Sequence, residues 1–280
     1  MADRPSTAQR DTLRAIEPAF AVHRANGSGP LLLVCEHASW HVPARYNNLG
    51  LSADELQRHI GWDLGACALA RALADGLDSP LVVATQSRLL LDLNRDPAAA
   101  DSIPAESDGT SIPGNQQLGD DERAKRRGWL YEPFHAAIDN LLRTRMAQGQ
   151  VTAVVSIHSF TPTMSGFARP WQVGVLSDRD RRLADALIAE LVASGEWCVG
   201  DNQPYAPADG VYHSMARHGQ DHGLLCAMLE VRNDLLGDDV GVQRWCDTLA
   251  RALSKAISRI DSVQSGSGAS GISTKSGGRR

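Results

Sequence analysis

The sequence predicts a three-layer α/β/α sandwich around a central mixed, mainly parallel sheet. Two patterns carry that expectation. Short aliphatic runs alternate with amphipathic stretches, which is how parallel strands joined by helices read along a chain. The runs are apolar throughout rather than alternating, as strands covered on both faces are.

The first run, LLLVC at Leu31–Cys35, predicts a buried strand. A helix is expected over Ala53–Gly76, with Ser52 as N-cap and Glu55 completing a capping box. Leu81–Ala84 (LVVA) predicts the next strand. The stretch Asp96–Leu118 is rich in Pro, Ser, Gly and Asp and too long for a simple connection; such loops often serve as lids. A helix over Asp120–Gln148 leads to a strand at Val151–Ile157, and Gln172–Leu176 gives another. Helices over Arg179–Ser194 and Val211–His222 precede the strand Leu224–Val231, and a last helix spans Asp238–Val263. Beyond it, QSGSGASGISTKSGGRR has almost no apolar content and predicts disorder. No repeat or linker divides the chain, so a single hydrolase-type α/β domain over 1–263 and a disordered Ser/Gly-rich tail over 264–280 are expected.

Hydrophobic residues make up 42% and charged residues 22%, an ordinary balance for a chain with a core. The net charge of −5 argues against nucleic acid or an anionic membrane as partner. The five cysteines are scattered without a CxxC pair, which predicts reduced thiols and disfavours a closed structural zinc site. The first twenty residues carry acids and no apolar core, so they do not read as a signal peptide. No apolar run approaches the roughly 20 residues of a membrane helix. A cytoplasmic protein is expected.

Chemistry gathers at the carboxyl ends of the strands, where open α/β sheets bind ligands. LLLVC ends in Glu36-His37-Ala38-Ser39, and VTAVVSI ends in His158-Ser159. LLCAML runs into Glu230, while Arg88 and the pair Asn94-Arg95 flank a further apolar run. Imidazoles and carboxylates in such a place suit metal-assisted hydrolysis. A catalytic zinc takes three N or O ligands and leaves a position for water, and a nearby carboxylate moves the proton. Glu230 lies inside an apolar strand, where an uncompensated carboxylate costs several kcal/mol. Competing chemistries lack support: there is no GxSxG elbow, P-loop or GxGxxG. Cys35 lies beside Glu36 and His37, which suggests a thiol–imidazole pair, but adjacent residues on a strand point to opposite faces and Cys35 reads as buried.

The motifs CEHAS at 35–39, GWDLGA at 61–66, SRLLLDLNRDP at 87–97, SDGTSIPGN at 107–115, SIHSF at 156–160 and LEVRNDL at 229–235 resemble the N-formylglutamate amidohydrolase family. The resemblance runs from about Leu31 to Ala252. It implies a fold similar to zinc carboxypeptidases and aspartoacylase, and hydrolysis of N-formyl-L-glutamate to formate and glutamate, a step of histidine breakdown. It implies one zinc per chain on His37 and His158, with Glu230 as general base. Those relatives take two ligands from a compact HxxE pair, whereas Trp40 stands three residues past His37. Asp63 is therefore the expected third ligand, with Glu36 the alternative, although Asp63 also reads as a helical partner of His59. Asn94 and Arg95 resemble a pair that grips the substrate carboxylate, with Arg95 also counted as catalytic. Arg88, Ser39, Arg217 and His218 complete the candidate substrate contacts. Open alternatives are a different divalent metal, another N-acyl amino acid or peptide substrate, a non-catalytic binding homologue, and a homodimer.

Overall fold

Seven strands form one sheet in the computed structural model, which describes residues 17–150 and 152–267. They are β1 Phe20–His23, β2 Leu31–Cys35, β3 Leu81–Ala84, β4 Ala153–Phe160, β5 Val173–Leu176, β6 Val199–Asp201 and β7 Cys226–Arg232. Their order across the sheet is β1-β3-β2-β4-β7-β5-β6. β1 is antiparallel to β3 and β5 to β7, and the other neighbours are parallel. The sheet is thus mixed and mostly parallel, with helices on both faces.

The helices are α1 Ala53–Leu56, α2 Ala66–Gly76, α3 Asp120–Arg126, α4 Glu132–Ala147, α5 Arg182–Ala193, α6 His213–His218 and α7 Asp239–Ser267. Odd-numbered side chains of β2, such as Leu31, Leu33 and Cys35, bury against α2, α5 and α7 together with Val155, Ile157, Leu229 and Val231. The opposite face, with Leu32, Val34, Val154 and Met228, packs against Phe134 and Ile138 of α4 and Met215 of α6. Alternation of side chains across a strand produces this division.

The capping box at Ser52 forms, with Glu55 N donating to Ser52 Oγ at 3.2 Å and Ser52 N to Glu55 Oε2 at 2.8 Å. The helix it opens is only one turn. The span expected as one helix, Ala53–Gly76, is two helices separated by an irregular segment holding Gly61 and Gly65. Likewise Asp120–Gln148 is α3 and α4 joined by a widened π-type turn at Arg127–Tyr131. Pro133 has no N–H to offer the carbonyl four residues back, and the wider turn absorbs the mismatch.

Edge strands β1 and β6 were not expected. They are short and partly exposed, so neither makes an apolar run. The Asp96–Leu118 stretch carries a small hairpin, Glu106–Ser107 with Thr110–Ser111, and Arg126 pins it to α3 by donating to Asn115 Oδ1 at 2.7 Å. α7 continues to Ser267, into the expected tail; the rest of that tail, 268–280, lies outside the described residues, as do residues 1–16 of the N-terminal segment.

Candidate active site

Two histidines reach the same crevice from neighbouring strands. His37 follows the end of β2, and His158 lies near the end of β4, pointing to the face away from α2. Glu36 is drawn to that same face, where Ser156 Oγ donates to Glu36 Oε2 at 2.6 Å. Glu230 on β7 is the register partner of His158. Cys35 belongs to the aliphatic cluster on the other face, so it does not share the histidines' crevice.

Asp63 arrives by a different route, on the segment that interrupts the expected helix. Asp63 N donates to His37 O at 2.9 Å, Ser87 Oγ to Gly61 O at 2.8 Å, and Ser159 Oγ to Leu64 O at 2.7 Å. Gly65 closes the segment with φ +79°, and a Cβ there would stand 2.4 Å from Leu236 Cβ. Only glycine combines that conformation with so close a neighbour. Asp63 and His59 consequently do not share a helical face; His59 Nε2 instead lies 3.3 Å from Asp108 Oδ2.

The three side chains converge. His158 Nδ1 is 2.7 Å and His37 Nδ1 3.4 Å from Asp63 Oδ2. One ligand atom from each residue lies within 4.8 Å of the others, and all three residues are buried. The far nitrogens meet carboxylates as well. His37 Nε2 bonds Asp92 Oδ1 at 2.7 Å. His158 Nε2 stands 3.2 Å from Glu36 Oε2, off the line of an aligned hydrogen bond, so that approach is a charge contact. Carboxylates behind histidines in this way fix ring orientation and tautomer in metal sites. Arg88 ties the arrangement together, with NH1 3.4 Å from Asp63 Oδ1 and NH2 donating to Asp92 Oδ2 at 2.7 Å.

A cavity of about 310 Å³ opens over these groups, with Glu230, Arg88, Arg95 and Tyr205 in its wall. Glu230 Oε2 is buried without a hydrogen-bond partner. The hairpin segment of the Asp96–Leu118 stretch contributes Glu106, Ser107 and Asp108 to the rim.

The profile of the family described as N-formylglutamate amidohydrolase matches residues 29–236. The chain belongs to that family. Among solved structures, it is similar to the gene product Atu2144 from Agrobacterium tumefaciens, at 41% identity and TM-score 0.86, over 88% of this chain and 98% of that one. An N-formylglutamate amidohydrolase from Ralstonia eutropha JMP134 shares the fold at 21% identity and TM-score 0.61, over 89% of this chain and 99% of that one. No curated protein matches the chain by sequence.

Within this N-formylglutamate amidohydrolase family member, the buried charges shift one another. Burial would raise Asp63, but His37 and His158 overcome it and hold the carboxyl well below its usual range. Burial likewise opposes ionisation of Glu36, yet His158 and Ser156 bring it down to about 2. Burial would lower His158 and His37, and their carboxylate partners raise both instead. Glu230 differs: burial pushes it up to about 7, with Asp63 adding to the rise and His158 opposing it. A buried carboxyl balanced near neutrality can accept a proton and return it.

The remaining predicted residues are spread out. Asn94 lies in the cavity wall, but its amide is occupied: Nδ2 donates to Val211 O, and Oδ1 accepts from Ser214 N at 3.0 Å. Arg95 reaches the wall with NH1 2.8 Å from Asp101 Oδ2 and 3.2 Å from Asp209 O. Ser39 Oγ accepts from His41 N at 3.1 Å, as a turn former does. Arg217 and His218 sit on α6 away from the cavity: Arg217 NH1 donates to Tyr131 OH at 3.0 Å, and His218 packs against His135 with a 2.7 Å contact. Asp92 was missed by sequence reasoning. Its signal is a single acid inside the apolar run LLLDL, the same kind of interruption that singles out Glu230.

Proposed function

We propose that this chain is a zinc-dependent amidohydrolase that cleaves N-acyl amino acids to the acyl carboxylate and the free amino acid, foremost N-formyl-L-glutamate to formate and glutamate. The observation that carries the reading is the buried, unpartnered carboxylate of Glu230 beside the His37–Asp63–His158 donor set. That set offers three N and O ligands, the number a catalytic zinc takes, with Asp92 and Glu36 steadying the imidazoles. Zinc bound there would acidify a water and polarise the scissile carbonyl. Imidazole and carboxylate also suit other divalent metals, so elemental analysis decides the metal.

The chain's own groups do the rest. Glu230 takes the proton of the attacking water and returns it to the departing amine nitrogen. Burial of the cavity floor keeps that exchange away from bulk solvent. Arg95 reaches the substrate's side-chain carboxylate from the wall, exchanging its exposed partner Asp101, a pair that is cheap to break. The setting we propose is cytoplasmic histidine catabolism, with a small-molecule substrate, neither nucleic acid nor membrane as partner, and a homodimer compatible with the fold. Among the described residues no helix is long and apolar enough to cross a membrane.

The test combines metal content with turnover. Protein as purified should contain about one zinc per chain and hydrolyse N-formyl-L-glutamate, and a chelator should abolish the activity. Metal-free protein, or no hydrolysis of any member of a panel of N-acyl amino acids, would sink the reading.

A further inference from the structure

One register row of the sheet runs through the site. His158 on β4 pairs with Glu230 on β7, Glu230 with Gly174 on β5, and Gly174 with Gly200 on β6. Side chains of such a row share a face of the sheet, so the two glycines stand where side chains would otherwise flank Glu230. Another part of the chain fills that space. A Cβ on Gly174 would stand 2.0 Å from Gln203 O, and one on Gly200 2.7 Å from the same oxygen. Asn202 fixes the turn that lays the backbone there: its N donates to Val175 O at 3.0 Å, and its Oδ1 accepts from Ser177 N at 2.9 Å. Two residues beyond Gln203, Tyr205 enters the cavity wall together with Glu230.

Packing alone would be served as well by phenylalanine at this position. The phenol oxygen contacts Met164 Sδ at 3.9 Å, and a thioether is a weak acceptor. Arg169, whose guanidinium carbon stands 4.8 Å from the ring centroid, has donors only. Neither neighbour is a good acceptor for the phenolic proton, whereas a tyrosine hydroxyl taken out of water usually finds a partner. Burial raises the phenol above its ordinary value and the charge of Glu230 adds to the rise, so the group stays protonated and can donate.

The substrate group that comes to Glu230 is the scissile amide, because Glu230 exchanges its proton with the attacking water and the departing nitrogen. The lone pair of an amide nitrogen is delocalised into the carbonyl, which leaves the oxygen as the acceptor. We infer that Tyr205 is a catalytic hydrogen-bond donor whose hydroxyl binds the oxygen of the scissile amide as charge develops on it. This role rests on the proposed amidohydrolase activity and deepens it. The carbon–oxygen bond forms from the attacking water and the carbon–nitrogen bond breaks. The proton taken from that water passes through Glu230 to the nitrogen, and Tyr205 keeps its own proton throughout. A donor aimed at developing charge acts on the transition state more than on bound substrate, so its removal falls on kcat.

The test is Tyr205→Phe, which keeps the ring beneath Arg169 and removes only the hydroxyl. On N-formyl-L-glutamate, or the N-acyl amino acid turned over fastest, kcat should fall by roughly 100-fold or more while KM stays within about threefold. Zinc content should match the parent. Calorimetric binding of the same substrate to a Tyr205→Phe, Glu230→Gln double variant should match that of Glu230→Gln alone. Tyr205→Met, whose flexible side chain fills the same space, carries the same comparison if the Phe variant does not fold. A kcat within about threefold of the parent overturns the inference. So does a loss confined to KM or weaker binding by the double variant, which would make Tyr205 a contact to bound substrate. Zinc lost together with rate overturns it as well, since that marks a structural role. Each of those results leaves the amidohydrolase standing. A parent that hydrolyses no N-acyl amino acid overturns the amidohydrolase and the role of Tyr205 with it.

Discussion

Glu230 and His158 face each other as register partners on parallel strands β7 and β4, one strand spacing of about 4.8 Å apart. The sheet itself therefore holds the proposed base beside a candidate ligand, and no loop has to move to bring them together.

Replacing Glu230 by Gln keeps the side-chain volume and removes the proton carrier. Zinc content should stay at the parental level while kcat falls by several orders of magnitude, measured on N-formyl-L-glutamate. A rate within about tenfold of the parent would remove Glu230 from the chemistry.

Asp92 holds His37 Nε2, the ring nitrogen away from Asp63, at 2.7 Å. Asp92→Asn should weaken zinc binding by roughly 10- to 100-fold, because the ring loses its anionic partner. His158→Ala should abolish tight binding altogether. A zinc competition titration with a chromophoric chelator orders the parent and the two variants; equal affinity of Asp92→Asn and the parent would show that Asp92 does not support the site.

Gly65→Ala tests how the interrupted helix presents Asp63. The positive φ costs an alanine on the order of 1 kcal/mol, and the methyl group meets Leu236 as well. Thermal unfolding should show a lower Tm, and zinc affinity should drop with it, since Asp63 hangs from the same segment. Parental affinity in a destabilised variant would separate the two effects.

His135 on α4 and His218 on α6 are buried against each other, with His135 Nε2 donating to Leu93 O at 3.0 Å. Burial, helped by neighbouring cations, brings His135 down to about 2; burial brings His218 down to about 4, against the pull of Asp139. Both lie below the roughly 6.5 of an unfolded histidine, so the unfolded chain takes up protons first as pH falls. Their contribution is complete above about pH 6.5 and is lost as pH drops toward 4 and below. Each should add about 1.4 kcal/mol of destabilisation per pH unit in that window. Urea unfolding at pH 7, 6 and 5 should give a flatter profile for a His135→Gln, His218→Gln double variant than for the parent; parallel profiles would contradict this assignment.

The central strands were readable because they are covered on both faces and so appear as unbroken aliphatic runs. Glu230 stood out for the same reason, as a charge inside such a run. Asp92 carries the same mark in LLLDL, but its neighbours Asn94 and Arg95 drew attention to the family motif instead. Asp63 belongs to the expected ligand group, yet the helix proposed to carry it does not exist across Gly61 and Gly65. Periodicity runs straight through those glycines, whereas the backbone turns at them. Asn94 illustrates the converse: its motif matched, and the fold spends its amide on the backbone of Val211 and Ser214.

The gathered donors are distant along the chain, with His37 and Asp63 separated by 26 positions and Asp63 and His158 by 95. A ribosome-bound chain that has not yet released β4 therefore lacks one of the three donors, and one that has not released β7 lacks the proton carrier. The donor set is thus complete only once β4 has been made, and Glu230 joins it only when β7 takes its place in the middle of the sheet between β4 and β5.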